Sequence, residues 1–356
     1  MHMADALISP LVGGAMVAAT TGATAYSIKK VQNDMDEKKI PLMGVMGAFI
    51  FAVQMINFSI PGTGSSGHLG GGLLLAIMLG PYGGFLTMAS ILLIQALLFG
   101  DGGLLAYGCN VFNLGFYTCF IAYPLIYKAF VKKRVSPGTI MAGSLVSSIV
   151  GLQFGALSVV FQTFLSGKTE LPIGTFIMFM QPIHLAIGII EGVVTAAVVT
   201  FIWNSRPEIL DKAASGEKLG EVPIKRTLIG LGAAVLIVGG ILSWFASANP
   251  DGLEWSMLKT FGKTEIETNS DIHKIMSQVQ SKTAQLPDYG FKSDDSVNTD
   301  KNENESSQAS EAWPAVNTGT SFSGIIGGAV TLGVVVLAGG IISIIKRRKL
   351  NYKSRI

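Results

Sequence analysis

The sequence predicts an all-α integral membrane protein, and its composition and hydropathy are the main evidence. Hydrophobic residues make up 49% of the chain and charged residues only 14%, whereas soluble domains carry about a quarter charged residues. The mean hydropathy is +0.50. Apolar stretches recur at close to the length that a helix needs to cross about 30 Å of hydrocarbon. We therefore expect a multi-pass protein of the cell membrane.

About nine transmembrane helices are predicted from these stretches. Their approximate ranges are 7–28, 41–58, 69–79, 83–99, 111–130, 138–165, 183–204, 227–246 and 324–345. The third is short and rich in glycine, so we expect it to be tilted, buried among its neighbours or only partly helical. Because no basic residue precedes the first span, it does not fit a cleavable signal peptide.

Basic residues predict the orientation of the chain, since Lys and Arg in short loops remain cytoplasmic. They cluster in loops 29–39, 128–137 and 205–226 and in the C-terminal tail, whereas the opposite short loops contain only Lys168. We therefore expect a cytoplasmic C-terminus and an outer N-terminus. One long extracytoplasmic loop, 247–323, is predicted to contain a helix at Asp271–Lys282 and a disordered, polar stretch at 292–322.

Met1 and His2 suggest a metal chelate at the start of the chain. The α-amine of Met1, the backbone nitrogen of His2 and Nδ1 of the His2 ring can close two fused chelate rings around one ion. One in-plane position then stays open. An all-nitrogen, square-planar set suits Ni(II) or Cu(II) better than tetrahedral Zn(II). Because the amide must lose its proton and the imidazole must be neutral, such a site should weaken in acid.

His68 is the candidate for the fourth in-plane ligand. It ends a glycine-rich segment, 59–68, that is predicted to lie on the same outer face as His2. The chain has four histidines, and these two are the ones predicted to meet there. The segment also matches GxGxxG, but a dinucleotide site is rejected because no strand is predicted before it and no acid follows at the required distance.

Four stretches of the sequence resemble one family of metal transport proteins. They are MHMADALISP at 1–10, MINFSIPGTGSSGHLGG at 55–71, GCNVFNLGF at 108–116 and PIHLAIGIIEG at 182–192. They are similar to the CbiM/NikM family, the substrate-binding (S) components of energy-coupling factor (ECF) transporters for cobalt and nickel.

The rest of the chain resembles the small NikN or CbiN partner subunit, fused in line. The matching stretches are NPDGLEW at 249–255, LPDYGF at 286–291 and SGIIGG at 323–328. The resemblance implies a metal-binding S component at 1–225, with about seven transmembrane helices. It also implies a NikN/CbiN-like part at 226–356, with two helices.

The resemblance further implies a ligand set and partners. The ion would be held by the Met1 amine, the backbone nitrogen and ring of His2, and His68. A transmembrane coupling subunit and ABC-type ATPase subunits would be the protein partners. Small residues recur in the first span at Ala15, Ala19 and Ala23; a similar alanine pattern in S components implies contact with the coupling subunit, although an internal packing face explains it equally well.

Polar residues near the proposed site are predicted to orient its histidine rings, since ligating rings normally need hydrogen-bonded support. Helix capping or interhelical bonding explains each of them equally well. They are Asn57, Ser65, Ser66, Asn110 and Asn113. Glu191, the one acid inside a predicted span, lies seven residues after His184 on the same helix face. We expect these two to form a buried pair or an ion path toward the cytoplasm.

The sequence contains no nucleotide-binding GxxxxGK[ST] motif and no nucleophile with a base, so we expect a transporter subunit, not an enzyme. No catalytic cofactor or nucleic acid is implied. The predicted function is capture of Ni(II) from outside for ATP-driven uptake. Nickel is preferred over cobalt because four planar nitrogens suit a low-spin d⁸ ion and because the MHMADAL start resembles the nickel branch; Co(II) remains an alternative.

Two other functional classes stay open at this stage. A stand-alone secondary carrier or channel for a divalent metal predicts charged residues along several spans, and only Glu191 fits. A membrane receptor or structural subunit would make the arrangement of Met1, His2 and His68 accidental.

Overall fold

The computed structural model describes residues 2–34, 38–167, 172–264, 270–292 and 314–353. These residues are helical apart from loops and one short hairpin. The helices are α1 (Pro10–Asp34), α2 (Lys39–Gln54), α3 (Gly72–Phe99), α4 (Tyr107–Val131), α5 (Pro137–Leu165), α6 (Ile173–Ser205), α7 (Pro207–Ser215), α8 (Lys225–Gly240), α9 (Gly252–Phe261), α10 (Asp271–Thr283) and α11 (Thr318–Lys353). The hairpin consists of β1 (Phe58–Ile60) and β2 (Ser65–Gly67).

Six of the described helices are long and apolar enough to cross a membrane: α1, α3, α4, α5, α6 and α11. Helix α2 is apolar but shorter. The predicted spans fall on these seven helices and on α8. The spans predicted at 69–79 and 83–99 are the two halves of α3, which meet at a non-helical break at Gly80.

Helix α3 is sharply bent at Gly80, whose φ of 77° and ψ of 166° lie outside the helical region. Glycine adopts a positive φ at little cost. A Cβ added at Gly84 would lie 2.8 Å from the backbone nitrogen of Ala76, whereas residues eight apart in a straight helix are separated by about 12 Å. The chain therefore folds back at Gly80, which explains why the sequence resembled two spans.

Gly84→Ala is expected to destabilise the protein by about 1–3 kcal/mol, because the added methyl group overpacks the contact between the two halves of α3. Thermal unfolding in detergent measures the effect. Gly22→Ala on α1 is the matched control, since an added Cβ there meets nothing within 4 Å. Equal melting temperatures for the two variants would contradict the tight contact.

The helices of the C-terminal part pack directly against the N-terminal part. Helices α8 and α11 contact each other and both contact α2, while α5 pairs with α6 and with α4. A Cβ added at Gly327 of α11 would lie 2.2 Å from Cζ of Phe51 on α2. This close approach joins the two parts of the chain within the apolar core.

The segment predicted as a glycine-rich turn forms an antiparallel hairpin, with Phe58 opposite Gly67 and Ile60 opposite Ser65. The sequence did not predict it because strands of three residues rich in Ser and Gly have low β-propensity. The hairpin contacts the C-terminal part: the backbone nitrogen of Ser66 donates to the carbonyl oxygen of Pro250 at 2.8 Å.

The segment after α8 contains two helices, of which α10 was predicted and is confirmed at Asp271–Thr283. The preceding helix, α9, was missed, and so was α7 in the loop at 205–226. Of the stretch predicted to be disordered, 292–322, residues 293–313 lie outside the described residues. The end of this stretch does not fit the prediction, since α11 already begins at Thr318.

Candidate functional site

The N-terminal segment, residues 2–8, is tucked into the protein before α1 begins. Met3 is completely buried, and its backbone nitrogen donates to Oδ1 of Asn110 at 2.8 Å. Nδ2 of Asn110 donates back to the Met3 carbonyl at 3.1 Å, and the backbone nitrogen of Gly103 donates to the same carbonyl at 2.9 Å. The segment is therefore fixed against α4 and the preceding loop.

The structure brings His2 and His68 together, as the sequence predicted. Their rings stack with centroids 4.8 Å apart and planes inclined by 13°. The His2 side chain is only 6% exposed, and its Nδ1 lies 2.9 Å from Oδ1 of Asp101. Its Nε2 has no hydrogen-bond partner among the described residues. Met1, the other predicted ligand, lies outside those residues.

The electrostatics of the site favour a neutral His68 beside an ionised Asp101. Burial lowers the pKa of His68 to about 3, and the charge of His2 acts in the same direction. Burial alone would raise the pKa of Asp101, but the charge and hydrogen bond of His2 and a hydrogen bond from Tyr289 hold it well below its usual range. A neutral imidazole is the form that binds a metal ion.

Asp101 and Tyr289 belong to this site, and sequence reasoning missed both. The hydroxyl of Tyr289 donates to Oδ2 of Asp101, and its ring stacks on Phe99 at a centroid distance of 4.9 Å. The available signal was that Asp101 is an acid in a loop predicted on the same outer face as His2. Nothing in the local sequence could show that Tyr289, from the C-terminal part, would reach it.

A cavity of about 870 Å³ adjoins the two histidines, and Asp251, Glu254 and Asp288 of the C-terminal part also line it. Within the described ranges, no group of three or more His, Cys, Asp or Glu side chains is arranged to hold a metal ion. The acids give the cavity a negative potential that attracts cations.

The predicted supporting residues divide into two groups. Asn110 binds the backbone beside His2, and Asn113 exchanges hydrogen bonds of 2.8 and 2.9 Å with the amide of Gln162. The other three have different contacts. Asn57 lines the cavity, Oγ of Ser65 donates to the adjacent carbonyl, and Oγ of Ser66 donates to the Asn249 carbonyl at 2.7 Å.

The predicted pairing of His184 with Glu191 is wrong. The Glu191 carboxylate accepts hydrogen bonds from the backbone nitrogens of Gly70 at 2.6 Å and Gly71 at 3.2 Å. Nδ1 of His184 lies 2.7 Å from the Met180 carbonyl, while its Nε2 has no partner in the part of the chain that the structure describes. Glu191 pairs with the loop because that irregular backbone leaves two buried N–H donors to satisfy.

The small residues of α1 differ in their exposure. Ala15 and Ala19 are exposed, whereas Ala23 is half-buried and packs against the core. Ala15 and Ala19 therefore do not form an internal packing face within this chain. Their exposure fits a surface that contacts a partner helix or lipid.

Comparison with protein families identifies both parts of the chain. The family model for the cobalt uptake substrate-specific transmembrane region (CbiM) matches residues 2–209. The model for the PDGLE domain matches residues 225–344. A crystal structure of a truncated transition metal transporter is 31% identical, with a TM-score of 0.52, and the match covers 58% of this chain and 99% of that one.

Curated relatives include proteins named for nickel and for cobalt. A protein of Archaeoglobus fulgidus, provisionally named a fused nickel transport protein NikMN, is 36% identical over 62% of this chain and 71% of its own length. The fused nickel transport protein NikMN of Rhodobacter capsulatus is 29% identical over 72% of this chain and 75% of its own length. The cobalt transport protein CbiM of Sorangium cellulosum is 28% identical over 60% and 95%. The chain therefore belongs to the CbiM family, fused here to a PDGLE domain, and it is a multi-pass component of nickel or cobalt transport, not an enzyme.

Proposed function

We propose that this chain captures Ni(II) on the outer side of the cell membrane for ATP-driven uptake. The proposed ligands are the Met1 amine, the backbone nitrogen and Nδ1 of His2, and the His68 ring. The observation that carries the proposal is the stacking of the buried His2 and His68 rings at 4.8 Å. Distant in sequence, these two side chains meet beside a cavity lined by acidic residues.

Binding requires a local rearrangement of His2. Its Nδ1, which the chelate uses, is hydrogen-bonded to Asp101. The ion would take the place of Asp101 on this nitrogen, and the ring would turn out of its stack with His68. The neutral state of His68, which follows from burial, leaves a ring lone pair for the remaining in-plane position.

The proposed working unit is larger than this chain. Because the family supplies the substrate-specific component, we propose that a transmembrane coupling subunit and ABC-type ATPases complete the ECF transporter. The exposed Ala15 and Ala19 on α1 are the proposed contact with the coupling subunit. The family matches support a division into an S component at 1–225 and a C-terminal part at 226–356. The basic loops support an outer N-terminus and a cytoplasmic C-terminus.

Cobalt is the second candidate substrate, because the relatives include a cobalt transport protein. We favour nickel because square-planar nitrogen ligation suits a d⁸ ion. Because Ni(II) binds most nitrogen sites more tightly than Co(II), the deciding measurement is competition between the two ions in ATP-driven uptake by the reconstituted transporter. Preferred uptake of cobalt would overturn the nickel assignment while leaving the ligand set in place.

His68→Ala is expected to abolish stoichiometric nickel binding, because it removes the fourth in-plane ligand. The measurement is nickel content and the visible d–d band of desalted protein with a native N-terminus. Glu208→Gln, at an exposed position in α7, is the control and should keep one nickel per chain. Retention of one nickel per chain in His68→Ala would refute the site.

Transport assays then test the functional class. In reconstituted vesicles, nickel uptake is expected to require the partner subunits and ATP. Nickel uptake by this chain alone, driven only by an ion gradient, would instead support the stand-alone carrier or channel.

A further inference from the structure

We propose that helix α10 of the C-terminal part acts as a clamp on the metal site, with His273 as its main positioning residue. The inference rests on the proposed function. It assigns a role to a histidine that the ligand set does not use. The clamp consists of His273 and Gln280, which lie seven residues apart and therefore share one face of α10.

His273 holds the N-terminal segment directly. Its Nε2 lies 2.9 Å from the carbonyl oxygen of Asp5 and 2.9 Å from that of Ile8. Both partners can only accept, so Nε2 must carry the proton and donate to both. Nδ1 contacts Oγ of Ser270. The ring is 5% exposed, and both of its nitrogens are used, so His273 positions the segment and does not ligate an ion.

Gln280 holds the opposite side of the same site. Its Nε2 donates to the carbonyl oxygen of Gly102 at 2.8 Å and to that of Ala96 at 3.0 Å. Gly102 follows Asp101, whose carboxylate contacts His2. A Cβ added at Gly102 would lie 3.5 Å from Cβ of His2, so this loop and the N-terminal segment touch. Helix α10 therefore binds both chain segments that flank His2.

The physical need for a clamp follows from the irregular backbone of residues 2–8. Apart from a single turn of 3₁₀-helix at Asp5–Leu7, this segment has no regular hydrogen bonds of its own. A chelate that uses backbone nitrogen requires that backbone to be fixed before the ion arrives, because ordering it on binding reduces affinity. The carbonyls that His273 binds lie three and six residues after His2.

The test uses the full chain with its native N-terminus. Nickel affinity is measured by chelator competition, nickel dissociation by stopped flow, and amide hydrogen exchange on residues 3–8. His273→Ala is expected to weaken nickel binding by about 10-fold or more, as loss of outer-shell support does at other metal sites. Dissociation should be faster, and exchange should rise in residues 3–8 but not in α5 or α6.

Two further variants separate positioning from a general structural role. His273→Gln can place an amide N–H near the Nε2 position, so it is expected to restore most of the affinity. Ser281→Ala, at an exposed position on the same helix, is the control and should bind nickel as the unaltered chain does. The d–d band should be the same in every variant that binds nickel, because the ligands do not change.

The outcomes distinguish the clamp from the proposed function. If the unaltered chain binds no stoichiometric nickel, the proposed function fails. If the unaltered chain binds nickel and His273→Ala has the same affinity and exchange pattern, the clamp alone is refuted. If His273→Ala does not fold, Gln280→Ala replaces it: a loss of about 10-fold supports the clamp, and unchanged affinity overturns it.

Discussion

One extra residue in front of Met1 is expected to abolish stoichiometric nickel binding as completely as His2→Ala. The addition converts the terminal amine into an amide and breaks the first chelate ring. Since outer-shell changes alone cost about 10–100-fold in metal affinity, loss of a direct ligand should cost more than about 100-fold. Residues 2–8 are already anchored, with Met3 fully buried, so the extended chain cannot slide to present its new amine.

The measurement is nickel content after desalting, together with the visible d–d spectrum. The same residue added after Ile356 is the matched control and should leave one nickel per chain. Without metal, the two extended proteins should have the same melting temperature. That result would show that nickel is lost because a ligand is lost and not because the fold is destabilised. An N-terminally extended protein that keeps its nickel and its d–d band would contradict the terminal chelate.

Glu191→Leu is expected to lower the free energy of unfolding and to weaken nickel binding at the same time. The carboxylate is 1% exposed and accepts from two backbone nitrogens of the loop that follows His68, at 2.6 and 3.2 Å. A leucine leaves both N–H groups buried and unsatisfied, at about 1–3 kcal/mol each. The free energy of unfolding should therefore fall by an amount on the order of 4 kcal/mol. The loop should also no longer hold His68 in position.

Thermal unfolding in detergent and nickel competition measure the two effects. Glu191→Gln keeps one acceptor oxygen, so an intermediate loss is expected. Glu208→Gln, at an exposed position in α7, is the control and should change neither quantity. If Glu191→Leu lost transport while its melting temperature and nickel affinity stayed unchanged, Glu191 would belong to an ion path, as the sequence also suggested.

The sequence predicted the long apolar helices and the meeting of two histidines because both depend on strong, local signals. Long apolar stretches have few structural alternatives in a membrane, and the basic loops then assign His2 and His68 to the same side. The fold-back of α3 was visible only as a short, glycine-rich span. It depends on the close approach of Gly84 to Ala76, which hydropathy does not report.

The contacts of the site could not be predicted, since they join residues far apart in sequence. Asp101 meets Tyr289, and Asp5 meets His273, through the docking of the C-terminal part. The expected pairing of Glu191 with His184 was wrong for a related reason. Spacing along one helix showed that His184 lies on the same face, but only the tertiary structure shows that the loop offers Glu191 two better partners.

The clamp helix α10 and the segment it holds belong to one polypeptide, and this determines the stoichiometry of the site. Docking of α10 is intramolecular, so its effective concentration at the N-terminal segment is set by the tether, at about millimolar for short flexible connections. Each site thus has its own clamp at any expression level. A separately encoded clamp would be diluted when the membrane holds few copies, but a fused one is not.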